Sequence, residues 1–258
     1  MRHRSDALVD LRDIAAATGL LTRLPVRFSD DFPVRRGAAA AWAYPLVGAI
    51  MACICWCVVA AGLLLQLPVV VTAGLAIGVQ VFVTGALHED GLADTVDGFW
   101  GGWSVERRLE IMKDSQIGTY GVLALVFVVG LRWATLVGLI QNEVVFAPLL
   151  VAAMMSRAAM PLVMVSLPHA RSGGLSASVG RPAVAVVVLA VVIAGVAGLG
   201  MLGLAGVCAG VGMILVAAAV GWTARTKIGG QTGDVLGATQ QITELVLLIG
   251  FLAWFGAV

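Results

Sequence analysis

The chain predicts an all-α fold, a polytopic integral membrane helical bundle of about seven transmembrane helices. Three observations carry that expectation. Of 258 residues, 60% are hydrophobic and only 12% are charged, about half the charged share of a soluble domain. Mean hydropathy is +1.00, so lipid is the solvent that suits most of these side chains. Lysine and arginine, finally, are confined to alternate segments between the apolar runs, Arg132 and Arg157 apart. A net charge of +1 without a basic tract offers nucleic acid no attraction.

Residues 1–37 precede the first span. Asp10, Arg12 and Asp13 interrupt what would be the apolar core of a signal peptide. Residues 6–22 read instead as a short amphipathic helix on the membrane surface, with Leu8, Leu11 and Ile14 on one side. A crossing helix needs about 20 apolar residues, and that rule predicts spans at 40–65, 69–87, 119–140, 144–166, 183–201, 205–222 and 242–258. The fifth and sixth form one uncharged run, divided near Gly198, Gly200, Gly203 and Gly206. Glycine there suits a tight turn, and Gly206-x-x-x-Gly210 also suits close helix packing. Cys53-x-Cys55-x-Cys57 does not converge on a metal at helical spacing and reads as small apolar side chains. With no internal repeat or linker, residues 1–258 form a single domain.

Charge fixes the expected orientation. Arg2, Arg4, Arg12, Arg23, Arg27, Arg35 and Arg36 precede the first span, and Arg107, Arg108 and Lys113 follow the second. Arg171 and Arg181 follow the fourth, and Arg225 and Lys227 the sixth. The opposite loops, around Gln66-Leu67-Pro68, Gln141-Asn142-Glu143 and Gly203, hold no Lys or Arg. This bias predicts a cytoplasmic N-terminus and cytoplasmic polar loops at 88–118 and 223–241. Arg132 and Arg157 fall inside spans, where a charge costs about 2.5–3.5 kcal/mol. Each reads either as an anion contact or as half of a buried pair.

The dense chemistry begins at His88-Glu89-Asp90-Gly91-Leu92-Ala93-Asp94-Thr95-Val96-Asp97-Gly98, which follows a stretch without charge from Ala38 to Leu87. If 89–97 is helical, Asp90, Asp94 and Asp97 stack on one face at i, i+4 and i+7. Stacked like charges call for a cation, and Mg²⁺ is held by a few carboxylates together with phosphate and water. Gly91 and Gly98 would let a phosphate ester approach the backbone. A solvated acidic turn is the plainer alternative; a calcium loop of the EF-hand pattern is absent. Downstream, Arg107, Arg108 and Lys113 beside Glu110 and Asp114 offer cations to a polyphosphate leaving group. In the last polar loop, Gly229, Gly230, Thr232, Gly233 and Asp234 suit an anion nest of backbone N–H groups, although no P-loop lysine follows. Arg171, in a short flexible loop, and Glu244, inside the last span, are further polar contacts.

These residues resemble the cobalamin synthase family, the adenosylcobinamide-GDP ribazoletransferases. The matching segments are Leu21-Thr22-Arg23-Leu24-Pro25-Val26, Tyr44-Pro45-Leu46-Val47-Gly48, the run from Gly85 to Gly98, Arg108 to Ser115, Ile117 to Gly121, and Gly229 to Ala238. They cover about residues 20 to 245. Glu89 stands where Leu is common in the family, and Arg132 where Lys is common. The resemblance implies a Mg²⁺-dependent enzyme of the cell inner membrane, its active site facing the cytoplasm. It would couple adenosylcobinamide-GDP to α-ribazole or its 5′-phosphate, release GMP, and form adenosylcobalamin or its phosphate in coenzyme B12 biosynthesis. On that reading Asp90, Asp94 and Asp97 hold Mg²⁺, with Asp97 close to the chemistry. Asp114 is a further ligand or the general base, and His88 the alternative base. Arg107, Arg108, Lys113 and Arg157 face substrate phosphate, and the Gly229–Asp234 turn a phosphate or ribose. Glu89, which departs from both the motif and the acidic face, reads as a bystander. A homo-oligomer or a complex with other enzymes of the pathway is compatible with this reading. Two other classes compete. A cation-coupled transporter would place the carboxylates at mid-membrane on repeated halves. A phosphotransferase acting on lipid alcohols would carry a further downstream Asp pair, which is absent here.

Overall fold

Inside lipid every backbone N–H and C=O must bond within the chain, and a helix does this segment by segment. The computed structural model, which describes residues 7–28 and 31–256, is accordingly helical, with one isolated bridge between His169 and Gln231. Arg2, Arg4, the first residue of the predicted surface helix and the last two of the seventh predicted span lie outside the described residues. The order is α1 (Arg12–Leu21), α2 (Phe32–Arg36), a tight 3₁₀ segment (Gly37–Ala43), α3 (Tyr44–Leu64), α4 (Val69–Thr84), α5 (Leu87–Gly101) and α6 (Val105–Ile111). It continues with α7 (Thr119–Gln141), α8 (Phe146–Ser166), α9 (Leu175–Val179), α10 (Val184–Leu202), α11 (Leu204–Ile228) and α12 (Gly233–Phe255).

Among the described residues, six helical segments are long and apolar enough to cross a membrane, or seven if α4 and α5, bent by 86°, count as one broken span. Six to seven crossing segments agree with the expected bundle of about seven, and the chain is a multi-pass membrane protein. The bend has a local cause. Gly85 and Ala86 both take left-handed backbone, φ 64° and 56°, and their amides turn back to Phe82 and Val81 carbonyls. Glycine enters that region freely, whereas alanine does so at a cost. The Arg23 side chain packs over Gly85, and the Arg23 amide bonds the Val83 carbonyl at 2.7 Å, so the bend is held from outside.

The α8 and α12 helices form the enclosed centre, flanked by α3, α5, α7, α10 and α11. Gly198 and Gly206, expected either to turn the chain or to pack helices, divide those tasks with a neighbour. Gly203 makes the turn at φ 55°, and Gly206 lies so close to the Gly198 carbonyl that a side chain would collide. Outward stripes at i, i+4 spacing, Val188, Val192 and Val196 on α10 and Val207, Val211 and Leu215 on α11, are exposed apolar surface, which lipid would cover. The N-terminal helix is shorter than expected and its predicted apolar side is not formed: Leu8 and Leu11 precede α1 and are exposed, Ile14 packs against the core, and Asp13 is buried. Asp13 accepts hydrogen bonds from Arg36 Nε at 2.7 Å and Trp42 Nε1 at 2.8 Å, which pins α1 to the start of the first span.

Both polar segments are largely helical. Residues 88–118 are mostly the helices α5 and α6. Of residues 223–241, only 229–232 lie between helices, because α11 runs to Ile228 and α12 starts at Gly233. Charged side chains mark a loop in an apolar sequence, but here they are carried on helices, some buried like Glu89 and Asp97 and others exposed like Asp90 and Arg107.

Candidate active site

The acidic helix α5 lies against α12 on one side and α7 on the other. Its carboxylates do not share one fate. Asp90 is exposed and Asp94 half-buried, and both line a cleft with Lys113, Asp114 and Ser115 from the segment after α6. Asp114 is oriented by the Gln116 amide, which donates to its Oδ1 at 3.0 Å. Asp90 also lines a second chamber, with Tyr44, His88, Arg171, Ser176 and Asp234 as its other polar side chains. Arg171 donates to Asp234 at 3.0 Å, and the Thr232 hydroxyl does so at 3.1 Å. Asp94 feels the charges of Asp90, Asp234 and Asp97, with Arg171 as the opposing cation.

Asp97 has another task. Its Oδ2 accepts the Gly118 amide at 2.7 Å and its Oδ1 the Gly121 amide at 2.8 Å. Those are orphan N–H groups at the start of α7, where a carboxylate also meets the positive end of the helix dipole. Of the three aspartates expected to act together, Asp90 and Asp94 line the cleft, whereas Asp97 caps a helix. The expectation for Gly91 and Gly98 is corrected. A Cβ on Gly91 would lie 2.9 Å from the Asp234 carbonyl, and one on Gly98 would lie 3.0 Å from the Arg108 carbonyl. Both glycines let helices approach and leave no room for phosphate.

Glu89 is no bystander. It is buried and accepts from Arg132 at 3.3 Å and Gln241 at 2.9 Å. Arg132 also donates to Gln241 at 2.9 Å, Gln80 at 2.5 Å and Glu244 at 2.8 Å. Glu244 in turn accepts from Gln80 at 3.1 Å, Gln240 at 2.5 Å, Ser156 at 3.3 Å and Arg157 at 3.4 Å. Two arginines thus face two glutamates behind the base of α5. Arg132 takes the buried-pair role, and so does Arg157, which is buried and also bonded to the Ala153 carbonyl at 3.1 Å. Gln80, Ser156, Gln240 and Gln241 escaped sequence reasoning, since isolated uncharged polar residues in apolar spans carry no spacing signal.

The remaining predicted residues divide. Lys113 reaches the carboxylate cleft. Arg107 is exposed and paired with Glu110 at 2.7 Å. Arg108 donates to the Gly102 carbonyl at 2.9 Å and the Lys227 carbonyl at 2.8 Å, tying α6 to α11. Gly229 ends α11 at φ 76°. Gly230 packs on Pro168 and Ala170, beside bonds from the Gln231 amide to the Pro168 carbonyl at 2.8 Å and from the Ala170 amide to the Gln231 carbonyl at 2.9 Å. Thr232 caps α12 by accepting the Val235 amide at 3.3 Å. The predicted anion nest is therefore a pinned turn, and only Gly233 and Asp234 of that motif reach the chamber.

Among the described residues, no three His, Cys, Asp or Glu side chains converge as a closed metal-ligand set. The donors present are hard oxygens, Asp90 and Asp94 with Asp114 across the cleft. That set fits Mg²⁺, which keeps several waters and is commonly held by one or two carboxylates plus substrate phosphate.

A multi-pass helical membrane protein with carboxylates and a lysine gathered in one cleft has the make-up of a membrane phosphotransferase. The particular family follows from comparison: the chain belongs to the cobalamin-5-phosphate synthase family, whose model matches residues 13–252. It is 44% identical over 254 residues to an adenosylcobinamide-GDP ribazoletransferase of Azorhizobium caulinodans, covering 95% of this chain and 96% of that one. It is 40% identical over 242 residues to the Bradyrhizobium diazoefficiens protein of that name, covering 93% and 92%. A Sinorhizobium relative with the same name is 42% identical over 250 residues, covering 92% and 94%. No solved structure matches the chain.

Proposed function

We infer that this chain joins adenosylcobinamide-GDP to α-ribazole or α-ribazole 5′-phosphate, releasing GMP and forming adenosylcobalamin or its phosphate. The observation that carries the reading is family membership across nearly the whole chain. The juxtaposition of Asp90, Asp94, Lys113 and Asp114 in one cleft supports it.

The reaction needs a ribose hydroxyl to attack the phosphorus bonded to the cobinamide arm, with its bond to the GMP oxygen breaking. Asp90 and Asp94 would hold Mg²⁺, which supplies charge neutralisation at the phosphate oxygens. Lys113, on the same cleft, offsets negative charge on the departing nucleotide. Asp114 would take the hydroxyl proton from the cleft side, or His88 from the chamber side; that each lines a cavity shared with Asp90 supports these roles. The arginine and lysine bias supports a cytoplasmic N-terminus and a cytoplasm-facing site in the inner membrane, where nucleotides are available.

The test incubates purified, lipid-embedded protein with adenosylcobinamide-GDP, α-ribazole and Mg²⁺ and measures GMP. Release of GMP that depends on both substrates is expected. Folded protein that releases none, but passes cations in liposomes, would overturn the reading in favour of transport.

A further inference from the structure

We propose that the chamber on the far side of Asp90 from Lys113 is the subsite for the acceptor nucleoside, its apolar wall receiving the aromatic base and its polar floor the ribose. The proposal rests on the reaction inferred above and assigns its two substrates to the two cavities that meet at Asp90.

The two cavities differ in chemistry. The Lys113 cleft is lined largely by charged and hydroxyl side chains, Asp90, Asp94, Asp114 and Ser115 among them. The chamber is walled by Leu21, Tyr44, Met160, Met164, Leu175 and Val179 over a floor of His88, Asp90, Arg171 and Asp234. A guanylyl diphosphate is polar at every edge and multiply charged, and it needs the cation that the cleft supplies. The base of α-ribazole is a benzimidazole, a flat ring with little to hydrogen-bond, and it needs apolar walls with a few polar groups to fix orientation. Methionine suits such a wall, because its flexible thioether adapts to an aromatic face.

A second observation points to a polar ligand on the floor. His88 Nε2 and Arg171 Nη1 are buried and lack a hydrogen-bond partner among the described residues, and both side chains line this chamber. Buried polar atoms are nearly always satisfied. Ribose hydroxyls, with any 5′-phosphate, would supply the missing partners. Ribose bound there would present a hydroxyl at Asp90, the one carboxylate common to both cavities. The hydroxyl oxygen then bonds to the phosphorus nearest the cobinamide, the phosphorus–oxygen bond to GMP breaks, and the proton passes to His88 or Asp114.

Leu175 is the residue to change, because it sits exposed on the short α9 at the edge of the chamber and its loss spares the core. Leu175→Ala is expected to raise KM for α-ribazole by about 10-fold, while KM for adenosylcobinamide-GDP stays within about twofold of wild type. Lys113→Ala should do the reverse. Leu175→Ala should also lower the preference for a benzimidazole riboside over a purine α-riboside, since a looser wall discriminates less. Equilibrium dialysis of α-ribazole against wild type and Leu175→Trp gives a readout independent of turnover, and weaker binding to the tryptophan variant is expected. If Leu175→Ala instead raises KM for the GDP-activated substrate, or leaves both KM values unchanged, the assignment is overturned. Wild-type protein that binds α-ribazole in dialysis yet makes no GMP would overturn the reaction and keep the subsite.

Discussion

Arg132 offers the most demanding test of how the site is held. Its guanidinium bonds Glu89, Gln241, Gln80 and Glu244 at 3.3, 2.9, 2.5 and 2.8 Å, and it is 2% exposed. With Arg157 it balances Glu89 and Glu244, so the cluster is neutral as built. Arg132→Met fills similar volume but leaves two buried carboxylates facing one cation. Removing one partner from a buried pair costs about 3–5 kcal/mol. At about 2–4 °C per kcal/mol for a chain of this size, the apparent Tm should fall by roughly 6–20 °C. Arg132→Met combined with Glu89→Gln restores the balance, leaving Arg157 paired with Glu244. The double variant should therefore be more stable than the summed single changes by at least about 2 kcal/mol. Tryptophan-fluorescence melting in detergent measures all four proteins. Two results would refute the reasoning: a single Arg132→Met variant within about 1 kcal/mol of wild type, or strictly additive effects.

Two further outcomes follow from the division within α5. Asp94→Asn should reduce Mg²⁺-dependent GMP release by about 100-fold or more without lowering Tm, and full Mg²⁺-dependent turnover would remove Asp94 from the metal. Asp97→Ala should behave oppositely, costing about 1–3 kcal/mol through the orphaned amides of Gly118 and Gly121 while the Mg²⁺ dependence of the remaining turnover is unchanged; a strong shift in that dependence would restore Asp97 as a ligand.

Much of the architecture was legible in the residues themselves. Runs of about 20 apolar residues mark crossing helices because the bilayer core sets their length, and the seven expected spans correspond to six crossing segments, or seven with the bent α4–α5 pair. Gly203 and Gly206 signalled the division of α10 from α11 because only glycine tolerates both the backbone and the approach found there. The acidic face of α5 was legible as well, since 87–101 is helical and Asp90, Asp94 and Asp97 fall at helical spacing. Helix ends were less legible. The start of α12 at Gly233 was hidden behind glycines and polar residues that read as a loop, although Thr232 is an ordinary N-cap and could have marked it.

What the sequence determined by itself is the set of properties that depend on local pattern: the membrane class, the number of spans, the helix that carries the carboxylates and the family resemblance. What only the tertiary structure decided is which charged residue meets which. Asp97 and Asp94 share a helix face, yet the start of α7 lies over one and a cleft opens beside the other. Glu89, Arg132, Arg157 and Glu244 are scattered across four helices, and no spacing rule could pair them. Their neutral cluster exists because charges buried in an apolar bundle must find one another, and that condition is met between helices, far apart along the chain.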